Sequence, residues 1–218
     1  MHFKTVITLK QYEIDLLKSI KGEVVNCIHF YGPSTGIGDN RNSISYQFVI
    51  FELANKIVII RSIPMNIMFG NEQQKFIIEK VEDGNSVEQW KRELDSCDRA
   101  YKIPKRRQRD IQEVLTDICM ERERVILKLE DEVIELERDS VLSFEFGRSY
   151  RVCINCTAVP EEWINVYEIS NSEINRNEND KEGLAESFIE YMPFKAEHYQ
   201  ELTKGCELLE YKSEIVNL

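Results

Sequence analysis

Three pairs of apolar runs, each pair broken only by a short polar turn, constrain this 218-residue chain more than any other feature. Tyr46 to Leu53 is followed by Ile57 to Ile63 across Asn55-Lys56, and Pro64 closes the second run. Val125 to Glu130 is followed by Val133 to Glu137 across Asp131-Glu132, and Val141 to Phe146 by Tyr150 to Ile154 across Gly147-Arg148. β-Branched and aromatic side chains suit a pleated surface, while Gly, Asn and Asp supply turns. Strands joined by so few residues pair antiparallel, because a parallel partner needs a long crossover. The alternation in Ile134-Glu135-Leu136-Glu137 turns one face of its sheet to water. Glu23 to Tyr31, Gln74 to Val81 and Trp163 to Ile169 read as further strands.

Helix signals lie between these runs. Thr8 with Gln11 forms a capping-box pattern ahead of Leu9, Leu16, Leu17 and Ile20, and Gly22 sits at the stop. Ser86 with Gln89 opens a second helix near Val87 to Tyr101, and Asp110 with Glu113 a third through about Met120. Leu184 to Tyr191, before Pro193, and Ala196 to Lys204, before Gly205, close the chain as short helical patterns. The expected class is therefore α+β: a mainly antiparallel sheet of hairpins and a meander, with four or five flanking helices. Val49-Ile-Phe-Glu-Leu53 resembles Val125-Ile-Leu-Lys-Leu129, and each opens a hairpin after a capped helix, which suggests a duplicated helix–hairpin unit. The basic segment Lys102 to Arg109, with Pro104 inside it, is the expected connector. It divides an N-terminal helix-plus-hairpin subdomain, 1–101, from a C-terminal helix-plus-meander subdomain, 110–218, that ends in an acidic helical tail.

Charge is unevenly spread. The chain carries 28 basic and 39 acidic residues, a net −11. From Glu161 onward there are fourteen acidic and five basic residues, so that stretch alone holds −9. Such an asymmetry marks an interaction surface or an acidic tail. It argues against contact with nucleic acid or an anionic membrane, both of which select basic surfaces. The cluster Lys102 to Arg109, beside Arg99 and Tyr101, is the one place a nucleic acid could dock. Pairing of that patch with the acidic C-terminal part is the more economical reading, since the two clusters have opposite sign. A hydrophobic share of 42% suffices for a core. Six scattered cysteines, no signal-like N-terminus and no long apolar run together suggest a soluble cytoplasmic protein with reduced thiols.

Chemistry-bearing patterns are sparse. Cys153-Ile-Asn-Cys156 closes a strand, where residues three apart point to opposite faces, and no second ligand pair accompanies it. No metal and no cofactor is expected. Gly32 to Asn40 is a Gly-rich loop after a strand, but it lacks the Lys of a phosphate loop and the helix that should follow. Cys27 and His29, two apart on one strand, share a face and could build a thiol nucleophile. Glu161-Glu162 beside Trp163 is an acidic pair that reads as solvent-facing.

The leading expectation is a non-enzymatic, acidic module that binds a basic protein partner. Its contact residues are expected at Gly36 and Asp39 in the loop, at Glu161, Glu162 and Trp163, and at Glu186 and Glu190 in the tail. Small acidic proteins can neutralise a basic toxin in the manner of an immunity protein, an analogy that rests on charge alone. The alternatives are a small-ligand binder or enzyme built on Cys27, His29 and the Gly32 to Asn40 loop, and a subunit of a homo-oligomer joined through a strand edge.

Overall fold

The computed structural model describes residues 2–31, 43–46, 48–68, 71–82, 88–89, 92, 107–147, 150–156, 164–170 and 207–218. β1 (His2–Ile7) leads into α1 (Gln11–Ile20), then β2 (Val24–Tyr31), β3 (Ser43–Tyr46), β4 (Phe48–Glu52), β5 (Ile57–Met68) and β6 (Asn71–Val81). β7 (Arg107–Leu129), β8 (Glu132–Phe146), β9 (Tyr150–Cys156), β10 (Ile164–Ser170) and β11 (Glu207–Asn217) follow.

These strands form one sheet in the order β3-β10-β9-β8-β7-β2-β4-β5-β6, with β1 added to β8 and β11 added to β7. The sheet is nearly closed and barrel-like, and α1 is the one helix with both ends described. This corrects the expected α+β class with its four or five helices. Glu88, Gln89 and Arg92 are helical and belong to the stretch expected as the second helix; most of that stretch, and both expected helices after residue 183, lie outside the described residues.

The third expected helix is overturned outright, because 110–120 runs inside β7. The second copy of the helix–hairpin unit therefore lacks its helix, and the duplication falls with it. Arg107, Gln108 and Arg109, assigned from sequence to a connector, are the first residues of that strand.

β7 organises the sheet. Its first part pairs with β2 (Val24 opposite Val114, Phe30 opposite Arg107), and its second part with β11 (Tyr211 opposite Val125). β8 runs antiparallel along most of it, from Leu115–Phe146 to Leu129–Glu132. β1 lies parallel to β8, His2 beside Val133 and Ile7 beside Arg138.

The main core joins both halves of the sheet. Phe51 of β4 sits edge-on to Phe144 and Phe146 of β8, with ring centroids 4.7 and 5.8 Å apart. Such edge-to-face aromatic packing adds to plain burial. Val49, Val58, Ile60, Phe76, Ile118, Leu142 and Ile154 also belong to this core. Leu17 and Ile20 of α1 are buried in it.

The α1 start differs from the Thr8–Gln11 expectation. The Glu13 carboxylate accepts the Lys10 backbone N–H at 2.8 Å, which makes Lys10 the N-cap. Its second oxygen accepts the Ile78 N–H at 3.1 Å. One buried carboxylate thus caps the helix and ties it to β6, the last strand in the sheet order. Gly22 follows the helix at φ +88°, a conformation that favours glycine. Among the described residues, no helix is long and apolar enough to cross a membrane.

Candidate functional site

Cys27 and His29 are brought together as their spacing predicts. β2 alternates its faces: Ile28 and Phe30 enter the main core, while His29 and Tyr31 share the other side, with ring centroids 6.5 Å apart. Cys27 Sγ lies 3.8 Å from His29 Nδ1 and 3.6 Å from the Ile28 carbonyl oxygen. The thiol is 5% exposed and the imidazole 4%, so both are shielded from bulk water.

The third member was not visible in the sequence. β4 lies antiparallel beside β2, with Glu52 opposite Cys27 and Ile50 opposite His29. From that position Glu52 reaches diagonally to His29, placing Oε2 2.7 Å from Nε2. With Glu52 ionised and the imidazole neutral, Nε2 donates to the carboxylate and Nδ1 faces the thiol as the acceptor. Thiol, imidazole and carboxylate therefore stand in the order used by cysteine nucleophiles, with the base oriented by a third group. Tyr31, Ile50, Ile57 and Ile59 form an apolar cluster beside them. On the other side of β2, Asp110 and Gln108 of β7 stand opposite Cys27 and His29, and both are exposed.

A second polar assembly lies where β1, β8, β7 and β11 run side by side. Arg138 and Glu123 are wholly buried and joined at 2.9 Å, and the Tyr211 hydroxyl donates to Glu123 at 3.1 Å. Burial and the Glu123 charge push the Tyr211 phenol up. Arg122 grips Asp139 at 2.8 Å, and Asp139 also accepts the Leu9 N–H at 2.6 Å. Burial, then the neighbouring Glu123, holds the Glu121 carboxyl above its usual range, against a hydrogen bond from Ser213.

A charge ladder crosses the same strands: Lys4 to Glu135 at 3.1 Å, Glu135 to Arg124 at 3.0 Å, and Arg124 to Glu210 at 3.8 Å, with Lys212 also on Glu210. Hydrogen bonds from Arg124 and Lys4 hold the Glu135 carboxyl below its usual range, and Lys212 does the same for Glu210. Along β11, Glu207 and Glu214 are exposed, as are Leu209 and Ile215.

The remaining sequence candidates divide simply. Cys153 is buried on β9, and desolvation holds its thiol well above the usual range. The Cys156 side chain lies outside the described residues, as do Gly36, Asp39, Glu161, Glu162, Trp163, Glu186 and Glu190. Among the described residues, no group of His, Cys, Asp and Glu is arranged to hold a metal ion. Comparison with protein-family models, curated proteins and solved structures finds no match.

Proposed function

We propose that this chain is an acidic protein-binding module whose partner is a basic protein. The observation that carries the reading is the concentration of charge: −9 of the net −11 lies from Glu161 onward. β11 belongs to that region and carries Glu207 and Glu214 in water beside exposed Leu209 and Ile215. Acidic side chains interleaved with apolar ones fit an interface in which charge steers encounter and apolar burial holds the complex. A basic nucleic-acid-cleaving toxin is one partner of the required chemistry, and neutralising it would make this chain an inhibitor of immunity type.

The test is affinity capture on the tagged full-length chain at low and at high salt, with mass spectrometry of what is retained. A stoichiometric basic protein, released as salt rises and retained poorly by a Glu207→Lys/Glu214→Lys variant, supports the reading. Retention that ignores both salt and charge reversal overturns it.

A further inference from the structure

We infer that Cys27 is a nucleophilic thiol, with His29 as its base and Glu52 as the residue that positions His29, and that the site takes small uncharged electrophiles. This inference does not rest on the proposed partner binding.

Three observations carry it. Sγ lies 3.8 Å from Nδ1, with the Ile28 carbonyl oxygen as a second acceptor at 3.6 Å, and Nε2 lies 2.7 Å from Glu52. The 2.7 Å contact leaves Nδ1 as the nitrogen able to receive the thiol proton, and the carboxylate then stabilises the imidazolium that forms. The three residues also come from adjacent paired strands, which hold their relative positions more tightly than loops would.

The surroundings define the electrophile. The imidazole and thiol are almost wholly shielded, so a large substrate does not reach them. Exposed Gln108 and Asp110 stand opposite His29 and Cys27 on β7, so water lies within one strand of the thiol. The Glu52 and Asp110 carboxylates would repel an anion, so an uncharged electrophile is favoured. Asp110 is the acidic group opposite Cys27 on β7, and His29 is the basic group beside it on β2.

Cys153 offers a comparison: it is wholly buried where Cys27 is 5% exposed, and burial holds its thiol above the usual range. Because the two differ slightly in exposure, the shift of the Cys27 profile in Glu52→Gln is what isolates the effect of His29.

The probe is iodoacetamide. Sγ attacks the methylene carbon, an S–C bond forms, and the C–I bond breaks. Iodide leaves with the electron pair, and the thiol proton passes to His29 Nδ1. The native full-length chain is alkylated from about pH 5 to about pH 10, and each cysteine is quantified by peptide mass spectrometry. Cys27 is expected to react at neutral pH at least about tenfold faster than Cys153. Glu52→Gln keeps the size of the side chain and removes its charge; it should move the Cys27 profile to higher pH, and His29→Asn should move it further. A thermal melt of each variant establishes that it is folded. If His29→Asn fails to fold, Glu52→Gln alone decides. Alkylation of Cys27 and Cys153 at one common rate, or a Glu52→Gln profile that superimposes on the parent's, overturns the inference.

Discussion

Gly147 turns the chain between β8 and β9 at φ +55°, where a side chain is strained. A Cβ built there would lie 2.7 Å from the Glu113 carboxylate. Both effects act against any larger residue. Gly147→Ala is expected to lower stability by about 1–2 kcal/mol, read from the urea midpoint of full-length protein. This glycine was legible from the sequence as a turn between two strand-like runs. Cys27 and His29 were legible too, because a two-residue spacing on a strand fixes a shared face. Glu52 was not: only the pairing of β2 with β4 brings it to His29, and that register depends on contacts that no local pattern encodes.

At the scale of elements, the misreading of 110–120 has a definite cause. Ile111, Leu115 and Ile118 all pack on the main core, and their spacing of four and three is the helical one. They reach it from a strand because that strand is irregular. Gln112 has φ +55°, the pairing with β2 shifts between Val25 and Cys27, and the pairing with β8 shifts between Leu115 and Asp117. Each shift resets the alternation of faces, so a bulged strand reproduces a helical period. The hairpins at Lys56 and Asp131 were readable because β-branched and aromatic runs flank them and end in turn residues.

The junction of β7 with β11 carries a pH signature. Glu121 lies beside Glu123, Arg138 and Ser213, and its carboxyl is held above the ordinary value chiefly by burial. A carboxyl whose folded pKa is raised favours the fold fully below the unfolded pKa. That contribution is lost as pH rises through the folded pKa. Glu121→Gln mimics the protonated form, so the variant should be more stable than the parent at pH 7. The gain should vanish as the pH falls below the ordinary carboxyl range, in paired urea titrations at about pH 3 and pH 7.

At the scale of the whole molecule, Phe51 joins β4 to β8 across the core, through Phe144 and Phe146. Phe51→Ala should cost about 3–5 kcal/mol in an equilibrium unfolding experiment, because a rigid sheet can collapse little around the void. A loss below about 1 kcal/mol would mean that the halves are held elsewhere.

The parallel docking of β1 on β8 also has a kinetic consequence. Lys4 meets Glu135 across a sequence separation of 131 residues, and Leu9 meets Asp139 across 130. The first strand therefore has no edge to join until the β7–β8 hairpin exists. Chains dominated by such distant pairings fold in milliseconds to seconds rather than microseconds, since the entropy of closing a large loop is lost before any contact repays it. During synthesis, His2 to Ile7 must wait as an unpartnered segment until residue 138 has left the ribosome, which makes it the strand most open to capture by a chaperone.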